Sequence, residues 1–310
     1  MIQDIEPYRL NNSFQNKIIK DNDAVISFSG REVLVERKDN NELHLPRFTD
    51  FSCYIESGEL SLSDFQYVFE IGGCDYYIII PKTINNMRKD NDKIVDTEPE
   101  KRFDCGKGFA YDNIRNMRQI VSKDISFAIM TAYHLYVWYR DNRFCGRCGG
   151  RVIHDDKERM LKCECCGNMI YPKIAPAVIA AVTDGDRILM TKYAPSREFQ
   201  KYALIAGFTE IGETAEETVK REVMEEVGLS VKNIRYYKSQ PWGIDSNLLM
   251  GFFAELDGDG TIKLDEDELS CAEWFKREEM PAHDDGISLT REMMGLFEDR
   301  EKYRKFCERN

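Results

Sequence analysis

No stretch of the sequence approaches the roughly 18 consecutive apolar residues that cross a bilayer. The opening residues, MIQDIEPYRL, contain no basic cluster leading into an apolar run. Both absences point to a soluble, cytoplasmic chain. Positive charge is also in short supply: 43 Lys and Arg against 55 Asp and Glu leave a net charge of −12. That balance excludes broad, non-specific affinity for nucleic acid but not a local basic groove. With no export signal in view, the ten cysteines read as reduced thiols, some of them holding a metal, rather than as disulfides. A hydrophobic content of 42% argues against global disorder, and 310 residues allow two domains and a small module.

The first third of the chain lacks any catalytic motif. Residues 1–112 read as a β-rich N-terminal domain. Ala24–Phe28 and Glu32–Val35 are expected strands, and Gln66–Ile71 and Cys74–Ile80 form a hairpin about Gly72-Gly73. Asp90 to Lys101 is charged and contains a proline, as expected of a surface loop. Cys53, Cys74 and Cys105 have no metal-like spacing and read as buried or incidental thiols. Residues 113–143 carry apolar positions at helical period, from Ile114 to Trp138, and are expected to form a helical connector of one or two helices.

Two Cys-x-x-Cys-Gly knuckles follow, Cys145/Cys148 and Cys163/Cys166, separated by fourteen residues. This is the spacing of a zinc ribbon, in which two tight turns offer four thiolates to one ion. A closed set of four sulfurs leaves no open position, so the zinc is expected to be structural and to hold together a segment, residues 144–172, too short for its own core. Cys165 is left over, and His154 is a ligand only in a different arrangement. The mixed charge of the insert RVIHDDKERML favours scaffolding over nucleic-acid contact.

Residues 173–310 carry the chemistry. Ala177–Val182 and Arg187–Lys192 flank Asp184-Gly185, a hairpin signal, and Tyr202–Ala206 reads as a strand that delivers the chain to Gly207. The segment Gly207–Leu229, GFTEIGETAEETVKREVMEEVGL, opens with a Thr214-x-x-Glu217 capping box and closes on Gly228, which predicts a helix of about three and a half turns. Val219, Val223 and Val227 form its buried face. Glu222, Glu225 and Glu226 share another, a self-repelling patch suited to a hard cation such as Mg²⁺ or Mn²⁺ that also takes phosphate oxygen as a ligand. Strands are expected at Asn233–Ser239, Leu248–Glu255 and Ala272–Lys276, and a last helix from Ser288 to Phe306. Mixed strands with helices covering the sheet predict an α/β sandwich.

The spacing Gly, five residues, Glu213, seven residues, Arg221-Glu222, two residues, Glu225-Glu226, one residue, Gly228-Leu229 resembles the signature of the Nudix hydrolases at every fixed position. The resemblance implies an α/β/α sandwich that binds divalent metal and hydrolyses a diphosphate linked to another moiety. Carried over by position, Glu222 and Glu226 ligate metal, Glu225 is a ligand or the base, Arg221 orients the carboxylates and Glu213 braces the preceding loop. With the zinc ribbon just upstream and Ser239-Gln240-Pro241-Trp242 thirteen residues after Glu226, the chain is most similar to the NADH pyrophosphatase (NAD diphosphatase) branch.

That branch implies cleavage of NADH or NAD⁺ to nicotinamide mononucleotide and AMP. Some members also remove an NAD cap from RNA 5′ ends, and members are commonly homodimers with sites completed across the interface. By position, the Ala206 carbonyl and Glu268 join the catalytic metal set. Phe208 and Tyr171 stack around the nicotinamide end or pack in the core, and Glu158, Gln240, Trp242, Asn247 and Thr290 contact substrate. The branch's Pro-Phe-Pro continuation is replaced here by Gly243–Asn247, a glycine-led run expected to loosen the pocket wall and leave substrate identity open among NADH, NAD⁺, ADP-ribose, FAD and capped RNA. An RNA-binding regulator built on the same fold is the rival reading. The intact carboxylate box speaks against it.

Overall fold

The computed structural model describes residues 1–310 except 39–41, 81–87, 91–92, 96–100, 107, 120–121, 196–200, 282–285 and 310. The chain divides into two compact units, one formed by residues 4–173 with 243–245, the other by 1–3, 174–242 and 246–310.

In the first unit the expected hairpin forms between Phe65–Ile71 and Cys74–Ile79, paired antiparallel from Ile71 opposite Cys74. Ala24–Ile26 adds in parallel to Cys74–Ile79, and Glu32–Arg37 pairs with Phe109–Asn113 in a second sheet. Aromatic rings fill the interior: Phe51 packs edge-on against Phe65 and Phe103, and Tyr67 against Tyr77. Most of the charged loop expected at Asp90–Lys101 lies outside the described residues, as do Ile120 and Val121. Lys93–Val95 pairs with Arg88–Asp90.

Helix α1, Lys123–Asp141, follows a 3₁₀ turn at Ile114–Gln119 and buries Phe127, Ile129, Tyr133 and Trp138. Against it lies the short turn Gly243–Asp245. A side chain at Gly243 would put its Cβ 1.9 Å from the Met130 carbonyl oxygen, and Ile244 is buried. Glycine here permits close packing on a helix rather than loosening a loop, which corrects the expectation drawn from sequence. The ribbon is a three-stranded antiparallel sheet of Val152–His154, Leu161–Cys163 and Met169–Ile170. In each knuckle the glycine N–H donates to the carbonyl of the first cysteine, Gly149 to Cys145 at 2.8 Å and Gly167 to Cys163 at 3.0 Å.

The second unit is built on one mixed sheet. Strand β1 (Ala175–Asp184) forms a hairpin with β2 (Arg187–Tyr193) through Thr183 and Asp184. Toward its N-terminal end β1 pairs instead with β3 (Ile205–Phe208), so β3 enters where the two hairpin strands separate. Helix α2 (Ala215–Val227) follows, then β4 (Val231–Trp242) and β5 (Asn247–Leu256), which runs parallel to β1 along Ala175–Thr183. Strand β6 (Leu269–Lys276) borders β2. The order across the sheet is β4-β5-β1-β2-β6.

Because side chains alternate along β1, Val178, Ala180 and Val182 face α2, whereas Ile179 and Ala181 face helix α3 (Leu289–Glu298). Val219, Val223 and Val227 of α2 are fully buried, each stabilising the fold by about 1.5–3 kcal/mol. The expected terminal helix is two helices, α3 and α4 (Arg300–Arg309). Asp299 breaks it with extended φ/ψ of −81° and 95°, and its carboxylate accepts the Lys302 N–H at 3.0 Å as a new cap.

Candidate metal and diphosphate site

The capping box forms as its sequence requires. The Thr214 hydroxyl accepts from the Glu217 N–H at 3.2 Å, and the Glu217 carboxylate accepts from the Thr214 N–H at 2.8 Å. Gly228 ends the helix in the left-handed conformation at φ 67°. Between these caps α2 presents Arg221, Glu222, Glu225 and Glu226 next to the end of β3.

Arg221 is the hub of this cluster. Its Nε and Nη2 grip both oxygens of Glu213 at 2.6 and 3.0 Å, Nη1 reaches Glu222 at 2.7 Å and Glu225 at 2.9 Å, and Nη2 also donates to the Phe208 carbonyl at 2.9 Å. The two-pronged grip, with the Thr218 hydroxyl and the Glu210 N–H also donating, holds the Glu213 carboxyl down to about 2. Glu213 thus stays ionised and ties the loop 208–213 to the helix.

The three helix carboxylates do not share one environment. Glu225 is exposed, while Glu222 and Glu226 are buried. Burial raises Glu222 above the usual carboxylate range, and the Arg221 guanidinium opposes the shift. Glu226 is pushed up to about 8, first by burial and then by the charges of Glu222 and Glu268, against a hydrogen bond with the Ala206 backbone. Asp265 adds to the negative field on Glu226, and its backbone N–H donates to the Glu226 carbonyl at 2.9 Å.

Gly207 makes room for this arrangement. A Cβ there would fall 1.9 Å from the Glu222 carboxyl carbon, so any larger residue displaces the carboxylate. Buried, mutually repelling oxygens beside the end of β3 fit a hard divalent cation, with Glu222 and Glu226 as the natural holders.

Thr218 and Asp265 were not singled out from sequence. Thr218 lies five residues after Glu213, one helical turn before Glu222, and that placement is the signal that could have found it.

Of the residues expected to contact substrate, Phe208 is 53% exposed beside the cluster and Tyr171, in the other unit, is 52% exposed. Neither packs in a core. The Tyr171 hydroxyl donates to Glu158 at 2.8 Å. Trp242 and Asn247 pair across β4 and β5 and are both buried, with the Asn247 Oδ1 lacking a hydrogen-bond partner among the described residues. Gln240 is fully buried. Its amide donates to the Ile287 carbonyl at 2.7 Å and accepts from the Leu289 N–H at 2.8 Å, holding the start of α3. Thr290 is in the first turn of that helix.

In the ribbon, the sulfurs of Cys145, Cys148, Cys163 and Cys166 all lie within 4.8 Å of one another, with 3.6 Å between Cys145 and Cys166 and 3.5 Å between Cys148 and Cys163. Zn–S bonds of about 2.3 Å set the edge of a sulfur tetrahedron near 3.8 Å, so one structural Zn²⁺ fits. Among the described residues this is the one group of at least three such ligands at that spacing. Glu222 and Glu225 of α2 are instead drawn onto Arg221, and Glu226 is not among its partners. His154 packs against the Tyr139 ring, centroids 4.9 Å apart, and Cys165 is exposed beside the knuckle.

A knuckled ribbon followed by a carboxylate-bearing helix on a mixed sheet defines a class, and comparison with known proteins agrees. Residues 173–295 match the NUDIX domain, and residues 140–171 match the NADH pyrophosphatase zinc ribbon domain. The chain belongs to the Nudix hydrolase family, in the group that carries this ribbon. Within the group it is similar to proteins named NAD-capped RNA hydrolase NudC. The Pectobacterium carotovorum relative is 39% identical over 171 residues, 54% of this chain and 65% of that one. The Erwinia tasmaniensis relative is 36% identical over 177 residues, 56% and 67% of the two chains. The chain therefore spans about two thirds of the length of these curated relatives. A solved Nudix hydrolase from Nitrosomonas europaea aligns with 28% identity and a TM-score of 0.42, covering 51% of this chain and 92% of that one.

Proposed function

We propose that this chain is a pyrophosphohydrolase that cleaves the central diphosphate of NADH or NAD⁺ to nicotinamide mononucleotide and AMP, and that acts on the same linkage in NAD-capped RNA. The observation that carries the reading is the state of Glu226. A carboxyl buried against two other carboxylates, with a pKa pushed up to about 8, is a standing electrostatic cost that a divalent cation offsets. The names of the relatives support the dinucleotide as substrate.

When bound at Glu222 and Glu226, with the Ala206 carbonyl and Glu268 alongside, Mg²⁺ or Mn²⁺ supplies charge neutralisation at the diphosphate and a more acidic attacking water. The chain's own residues do the rest. Arg221 fixes the carboxylates of Glu222 and Glu225 through one nitrogen, so their oxygens hold a defined orientation before substrate arrives. Glu225, exposed at the mouth of the cluster, accepts the proton of the attacking water. Phe208 offers an open aromatic face to a flat base or nicotinamide ring.

The test is chromatographic product analysis with NADH, NAD⁺, ADP-ribose, FAD and NAD-capped RNA, each with Mg²⁺ or Mn²⁺, beside Glu226→Gln. Nicotinamide mononucleotide plus AMP as the preferred products, absent in the variant, is the expected result. Near-normal turnover by Glu226→Gln would overturn the site. Preference for ADP-ribose or FAD would keep the site and overturn the substrate.

A further inference from the structure

Three to four residues before Gln240 along β4, the second unit has an open concavity of ≈ 440 Å³. One wall is helix α4. Lys302, Lys305, Phe306 and Arg309 line it at positions i, i+3, i+4 and i+7, a single stripe along one helix face. Tyr237 of β4 and Leu296 of α3 form the opposite wall. Tyr236 lines the same cavity and is 49% exposed. No acidic residue contributes to the lining.

Two observations separate this stripe from an ordinary solvated helix face. Six of the eight cations on β4 and α4 are engaged in ion pairs, such as Arg235 with Glu255 and Lys302 with Asp299, whereas no ion pair among the described residues involves Lys305 or Arg309. Those two stand one turn apart, and like charges at that spacing destabilise a helix by about 0.2–0.5 kcal/mol per pair. Phe306, moreover, packs with Tyr237 and Phe253 at 5.5 and 5.2 Å, so the cations flank a fixed aromatic floor. Among the described residues, carboxylates touch the lining only through Tyr237, whose hydroxyl donates to Glu292 at 2.8 Å, and through Lys302, paired with Asp299 at 2.9 Å. The unpaired Lys305 and Arg309 beside aromatic rings therefore favour a ligand that is both anionic and flat.

We propose that this cavity holds a nucleotide unit of single-stranded RNA, its phosphate on Lys305 and Arg309 and its base against the tyrosine rim. Stacking and cationic tracking together are the means by which single strands are bound without sequence readout. The inference rests on the proposed decapping reading and deepens it by assigning a surface to the RNA body.

The test uses the full zinc-loaded chain and a fluorescently labelled, uncapped single-stranded RNA. In fluorescence anisotropy, Lys305→Glu with Arg309→Glu is expected to weaken binding about tenfold or more and to make the salt dependence shallower by roughly 0.7 in slope, as the loss of one neutralised phosphate requires. The neutral pair Lys305→Gln with Arg309→Gln is expected to fall between, and hydrolysis of free NADH to stay at the wild-type rate in both. Unchanged RNA affinity and salt slope in the charge-reversed protein would overturn the proposal and leave the proposed function standing. AMP binding lost in the variant while RNA binding persists would assign the cavity to a free nucleotide and overturn the RNA assignment. A wild-type protein that binds RNA through these residues but cleaves no dinucleotide would instead refute the proposed function alone.

Discussion

Replacing Glu226 by glutamine keeps the shape of a buried side chain and removes its charge, so the structure makes an unusual demand: in the absence of Mg²⁺ and Mn²⁺ the variant should be the more stable protein. In the fold Glu226 titrates near 8, against 4.5 in an unfolded chain. Between those values the folded state retains a proton that the unfolded state has released. Stability therefore declines as pH rises from 4.5 toward 8 and levels off above it. At about 1.4 kcal/mol per pH unit the penalty reaches roughly 3 kcal/mol by pH 7, which for a unit of this size corresponds to roughly 10 °C in Tm. Scanning calorimetry from pH 5 to 8.5, with zinc retained and other divalent ions removed, should show the Glu226→Gln curve above the wild type by a margin that widens with pH. Addition of Mg²⁺ or Mn²⁺ should raise the wild type and close the gap. Curves that run parallel across this range, or a variant less stable at pH 8, would refute the account of Glu226 as a strained buried carboxylate.

Gly207→Ala should displace the Glu222 carboxylate that lies where the new methyl must go. Dinucleotide hydrolysis is expected to fall by two orders of magnitude or more, on the order of 3 kcal/mol of transition-state stabilisation, with a weaker apparent affinity for Mn²⁺ in a metal titration. Cys148→Ser should release the single zinc, measured as metal content per chain, and expose the ribbon amides to hydrogen exchange, because that segment has no core of its own. Glu213, held down to about 2 by Arg221, contributes stability that is fully present above pH 4.5 and is lost progressively as pH falls from there to about 2. Its carboxyl carbon resonance should therefore titrate below pH 3 in the wild type and move back toward 4.5 in Arg221→Ala.

Much of this site is legible in sequence because its determinants are local. The capping box, the left-handed glycine and the valine stripe all lie within Gly207–Leu229, and they fix α2 and the face that bears the glutamates before any tertiary contact is considered. The ribbon is legible for the same reason, since each knuckle closes on itself. Sequence period did not reveal that the three carboxylates divide into two buried groups and one exposed, because that depends on β3 entering beside β1 and bringing Ala206 and Gly207 against the helix. The run AVIAAV in β1 is apolar on both faces and so gives no sign of which helix covers which side. The break at Asp299 is a case of a polar residue capping a new helix within an otherwise helical pattern. Gly243 shows the same limit: its close approach to the Met130 carbonyl is a contact across more than a hundred residues of chain.

The parallel pairing of β1 with β5 also bears on the order of events as the chain is made. Residues 175–183 wait for partners at 247–255, so the sheet closes only after a long intervening segment has left the ribosome. Closing so large a loop before any parallel ladder rewards it carries an entropic cost that the local hairpin and helix do not bear. Helix α2 takes its start and stop from its own residues, so its caps do not depend on that closure. The burial of Glu222 and Glu226, and with it the full cost of their mutual repulsion, comes only when β3 is seated beside β1 and against the helix.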